Sequence, residues 1–187
     1  MSICDIKIAN DISSSCTDPL YTGKAKKGYI INKADIASFT ESGHIISALT
    51  LAASTYAYLV EVNSKTPFQG TATAMNEGDM KNDFTNTVTF HIANDGAGFR
   101  KDVVEPIANG KFIIIVENEW GGTSGDNKFA VYGWQKGLVA SGDNTEDADN
   151  GGWTFTLVEE GVPVAGYYFY DTDVATTRAA LEALLAP

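Results

Sequence analysis

The chain has 187 residues and a mass of 20.0 kDa, 44% of them apolar and 20% charged, which is enough to bury one sizeable core and too little for two. Its 24 acidic residues against 13 basic ones leave a formal charge of -11, which disfavours a sequence-independent grip on nucleic-acid phosphates, since that needs clustered Lys and Arg. With 18 Gly, 9 Phe, 8 Tyr and 3 Trp but only 5 Pro, the composition is that of a turn-rich globular protein and excludes collagen, coiled coil and disorder.

Residues 1–27 read as an extended arm on a single domain spanning 1–187, because Ser13, Ser14 and Ser15 and the basic residues Lys24, Lys26 and Lys27 have little to bury. Cys4 and Cys16 stand too far apart for a C-x-x-C redox pair or a zinc knuckle, which leaves reduced thiols or a disulfide in an oxidising compartment. Asp5, Lys7 and Asp11 interrupt any apolar signal core, so secretion is not expected. Period-two runs bounded by Gly, Asn, Asp and Ser then predict strands over Gly28–Lys33, His44–Leu51 and Thr55–Val62. The apolar stretch Ile45–Ala53 is about half the roughly 20 residues that a membrane-spanning helix needs, and a soluble protein is expected.

Residues 67–83, small and rich in Thr and Ala, read as a long exposed hairpin or an insertion. Phe84–Ile92 is a half-buried strand, with Val88, Phe90 and Ile92 on one face and Thr87, Thr89 and His91 on the other. Gly98–Ala108 carries Phe99, Val103, Val104 and Ile107 at helical spacing and ends on Asn109 and Gly110. Phe112–Val116, within a strand expected over Lys111–Asn118, is apolar on both faces, as a central strand covered on both sides would be. Strands over Asn127–Trp134, Trp153–Glu159 and Gly166–Tyr170 follow, and Ser141–Gly152 is an acidic connection with no compensating cation of its own. A last helix is expected over Val174–Ala186, capped by Thr172 or Asp173. The fold class is therefore mainly β (α+β): an antiparallel β-sandwich or β-barrel with one packed helix and a short C-terminal helix.

The search for chemistry yields no catalytic, cofactor-binding or metal-binding residue, and no enzyme activity is expected. General base chemistry near neutral pH has only His44 and His91 to draw on, both in predicted strands. In Gly121–Gly125, Thr123 stands where a nucleophile would, but no strong helix follows. Asp95-Gly96-Ala97-Gly98 resembles the start of a phosphate loop but lacks its third Gly. The segment starting at Asp147 opens like a calcium loop, yet Gly151 falls at the fifth position and Val158 occupies the twelfth, where a bidentate Glu belongs. Tyr167, Tyr168, Phe169 and Tyr170 suit a strand with alternate rings in the core better than a base-stacking platform, because Asp171 and Asp173 follow them. Trp120, Trp134 and Trp153 are core anchors or contacts between subunits. Glu159 and Glu160 with Asp171 form the one carboxylate set that hydrolysis would have to use.

The succession GKFIIIVENEWGG, NKFAVYGWQKGLVASG, an acidic spacer and GGWTFTLVEEGVPVAGYYF, over residues 110–170, resembles the C-terminal half of the major tail tube proteins of tailed bacteriophages. The resemblance implies a virion structural protein, made in the bacterial host cytoplasm, that forms a homo-oligomeric ring of six stacked axially into the phage tail tube. It also implies contacts with other tail proteins, no membrane partner, and DNA that passes during genome ejection without being bound. On this view residues 1–27 and 67–83 stack one ring on the next. The alternatives are another phage structural protein, such as a head decoration, connector or tail terminator protein, or a monomeric β-sandwich binding module. Charge fits the first expectation: residues 1–93 hold 9 acidic and 7 basic side chains, whereas 94–187 hold 15 and 6, and a negative lumen repels DNA.

Overall fold

The structure, a computed structural model, describes residues 23–62, 65–78, 81–142, 144–149 and 151–187. Cys4, Cys16 and the expected arm up to residue 22 lie outside them. In chain order the strands are β1 (Lys24–Asn32), β2 (Ile36–Ser42), β3 (Ile45–Leu51), β4 (Tyr58–Glu61), β5 (Phe68–Asn76) and β6 (Asp83–Ile92). They continue with β7 (Phe112–Asn118), β8 (Phe129–Tyr132), β9 (Val139–Ala140), β10 (Thr145–Glu146), β11 (Trp153–Val162) and β12 (Tyr167–Phe169). The helices are α1, residues 97–109, and α2 (Val174–Glu182).

A run such as Phe112–Val116 is stable as a strand only if both of its faces leave water, and β7 meets that condition. Ile113 and Ile115 enter a core with Tyr29, Ile31, Phe129, Val131 and Leu181 of α2, while Phe112, Ile114 and Val116 enter another with Val88, Phe90, Phe155, Leu157 and Ile107 of α1. The molecule is thus layered: α2, then a seven-stranded sheet ordered β2-β3-β12-β8-β7-β1-β4, then a second sheet ordered β10-β11-β6-β5 beside α1, with β9 also on β11. Among the described residues it is a mainly β sandwich whose sheets keep open edges, not a closed barrel. Between these strands pairing is antiparallel except for β12 with β3, which run parallel.

Several boundaries move for identifiable reasons. Lys24–Lys27, expected in the arm, begin β1, with Lys24 opposite Asn118 and Lys27 opposite Glu61. The sheets come together over Gly28, where a Cβ would lie 2.3 Å from the Phe68 ring, so only glycine lets Phe68 close the sandwich at that point. α1 runs through a π turn over Arg100–Val104, in which the Glu105 N–H donates to the Arg100 carbonyl. Pro106 has no N–H and its ring crowds the carbonyl four residues back, and the wider turn just before it makes room. α2 starts at the Asp173 cap, whose carboxylate accepts from the Thr176 N–H at 2.8 Å. It stops at Glu182, short of Ala186, because Leu184 and Leu185 turn to pair with Ala57 while still packing on the core.

Candidate functional site

The Asp95–Lys101 segment includes the first turn of α1, and its own carboxylate, Asp95, is engaged there by Arg100 and the Gly96 N–H. Asp95 pairs with Arg100 through both oxygens, at 2.8 and 2.9 Å, and accepts from Trp153 Nε1 at 3.2 Å. Arg100 lies over the Trp153 ring and also reaches Glu146 at 3.0 Å. These bonds, with Arg100 first and the Gly96 N–H next, hold the Asp95 carboxyl well below the usual carboxylate range. The phosphate-like motif is an electrostatic clasp between β6, α1 and β10. It also supplies Glu146, in the acidic connection, with a cation from outside that segment.

The other sequence candidates disperse. Thr123 lies in a turn closed by Gly125 N–H to Gly122 O and Asn127 N–H to Gly121 O. The histidines bond elsewhere through Nδ1: that of His44 lies 2.9 Å from Gly166 O and that of His91 lies 3.0 Å from Thr154 Oγ1. In the acidic connection Asp147 accepts from the Asp149 N–H, a local turn, and no group of three or more His, Cys, Asp or Glu converges for a metal among the described residues. Glu159 is buried and accepts from the Lys136 and Gly137 N–H groups and from Asn86 Nδ2, whereas Glu160 is exposed. Asp171 follows β12 in the other sheet, with its N–H bonded to Thr177 Oγ1, so the carboxylate set is not assembled. Tyr167 and Phe169 point into the core between half-buried Tyr168 and Tyr170, as the alternation required.

Two features were not legible from motifs. The first is a set of open sheet edges. β2 and β4 end the large sheet, and the nine-residue β5 ends the small one, with no Lys or Pro in any of the three. Large apolar side chains stand exposed on them: Phe39 at 54%, Tyr58 at 56%, Leu59 at 37% and Met75 at 70%. The second is a cleft of about 440 Å³ between β4 and α1, floored by Phe90, Phe112 and Phe155 and rimmed by Glu61 and Asp102. Its walls come from six separate elements, so no single run of residues announces it. No family model, no curated protein and no solved structure matches the chain.

Proposed function

We propose that the chain is a self-assembling virion structural protein, the protomer of rings that stack into a phage tail tube and conduct DNA without binding it. The observation that carries this reading is the set of sheet edges left open among the described residues, with large apolar side chains exposed on them. A monomer with three open edges bearing Phe39, Leu59 and Met75 runs a standing risk of uncontrolled pairing, whereas a subunit that closes a ring uses such edges as contacts. Head-to-tail contact between the two ends of one seven-stranded sheet is heterologous and closes on itself when the rotation permits. The β5–β6 hairpin is the segment we assign to contact between rings, together with residues 1–22. The sequence resemblance over 110–170 and the acidic second half of the chain support the same reading.

The test is electron microscopy of the full chain beside a variant carrying Phe39→Lys, Leu59→Lys and Ala74→Lys, one lysine on each edge. All three positions are exposed, so the variant should fold, give the wild-type circular dichroism spectrum and stay monomeric. Tubes formed by the variant would remove the edges from the account. The β4–α1 cleft favours the second reading, a monomeric binding module, because its size and apolar lining suit a small ligand. Monodisperse wild-type particles would transfer support to it.

A further inference from the structure

At the end of the sandwich opposite Lys24, three lysines from different elements crowd together. Lys33 follows β1, Lys111 precedes β7, and Lys136 lies between β8 and β9. The Lys33 N–H donates to the Lys111 carbonyl at 2.9 Å. Gly137, at φ +88°, lies between their stems: a Cβ there would be 3.0 Å from both Lys111 Cβ and Lys33 Cδ. Together with Asn32, Ala34 and Gly110 the three side chains line a shallow depression of about 570 Å³.

None of the three forms a salt bridge among the described residues, although the chain carries 24 acidic side chains. By contrast, Arg100, Lys128 and Arg178 are each paired with a carboxylate. Lys33 Nζ donates to the Trp134 carbonyl, and Lys136 Nζ donates to the carbonyls of Glu160 and Gly161. Glu159 lies beneath and its field reaches Lys33, but its oxygens are taken by the Lys136 and Gly137 N–H groups and by Asn86. Burial lowers the Lys33 pKa, Glu159 opposes this, and Lys111 adds to it. Three like charges whose neighbouring carboxylates, Glu159 and Glu160, form no salt bridge with them among the described residues are a local conflict, and such conflicts are retained where a surface has work to do.

We infer that this lysine cluster is the contact for the carboxylate-rich surface of a second copy of the chain. The inference rests on the self-assembly reading and deepens it. Copies at -11 repel one another at long range, so productive approach requires a cationic patch to face an acidic one, and 15 of the 24 acids lie in residues 94–187. Cationic charge at such a contact sets register and the rate of encounter, and its effect is screened by salt.

The experiment is sedimentation velocity of the full chain between about 50 and about 300 mM NaCl, with wild type, the single variants Lys111→Gln and Lys111→Arg, and the triple variant Lys33→Gln, Lys111→Gln, Lys136→Gln. Wild-type association should weaken with salt. The triple variant should associate about tenfold more weakly at low salt and lose most of the salt dependence, with Lys111→Arg retaining it. Lys111 is exposed and its side chain donates no hydrogen bond to a described residue, so Lys111→Gln keeps the test valid if the triple variant folds poorly. Assembly of both glutamine variants at the wild-type strength would overturn the inference while leaving self-assembly intact. Binding of inorganic phosphate to the patch without competition against assembly would overturn it in the same way. Absence of wild-type assembly at every salt concentration would instead overturn the reading beneath it.

Discussion

Tyr29 shows how one residue can set a pH limit on the fold. Its ring is fully buried in the core under α2, and its hydroxyl makes no hydrogen bond to another described residue. Burial, helped by the nearby negative charges of Glu182 and Glu117, raises its pKa to about 12. An acid whose folded pKa is raised favours folding equally at all pH values below its ordinary value near 10, and loses stability as pH climbs from about 10 to about 12, where only the unfolded chain ionises. A rise of that size corresponds to a loss of about 3 kcal/mol across that window. Tyr29→Phe should therefore flatten the alkaline limb of a stability-versus-pH curve from chemical denaturation. It should also stabilise the protein near neutrality by about 1 kcal/mol, since an unpaired hydroxyl is removed. A steeper alkaline limb, or a loss of more than about 1 kcal/mol at neutral pH, would show that the hydroxyl is well satisfied. Asp95 acts in the opposite sense: its depressed pKa adds stability above the ordinary carboxylate range that is lost on acidification.

At the scale of elements, β7 and β2 are opposites, and they separate stability from assembly. Ile114 is fully buried between the sheets, so Ile114→Ala should cost about 2–5 kcal/mol in urea denaturation. Phe39 lies half-exposed on an edge, with its ring edge-on to Trp134 at 5.1 Å, and Phe39→Ala should cost less than about 1.5 kcal/mol while weakening association. Equal losses in the two variants would contradict this division. The same contrast explains what the sequence disclosed. The apolar run of β7, the alternation of β6 and the stripe of α1 report burial on two faces, one face and one side, so periodicity found them. β2 carries no such signal: only Ile36 is even partly covered, and register shifts after Ile36 and Thr40 break any alternation. β9 and β10 have two residues each, too short for any period. The parallel β12–β3 pairing and the meeting of Lys33 with Lys111 join residues more than 70 positions apart, which no local pattern encodes. At Asp95 the missing third Gly already argued against a phosphate loop, and the carboxylate there pairs with Arg100.

For the whole molecule, charge and edges must be considered together. A formal charge of -11 keeps copies apart in solution, while open edges with exposed Phe39, Leu59 and Met75 favour joining them. On the proposed reading, a protein balanced in this way would assemble where geometry and local charge agree and stay dispersed elsewhere. On the proposed assembly, acidic side chains directed into a ring's lumen would repel the phosphates of passing DNA, so the charge that limits association would also serve conduction. Electron microscopy of the purified full chain at near-physiological salt tests this account most directly. It predicts rings or stacked tubes with a central hole. A uniform population of 20.0 kDa particles across concentration and salt would contradict it.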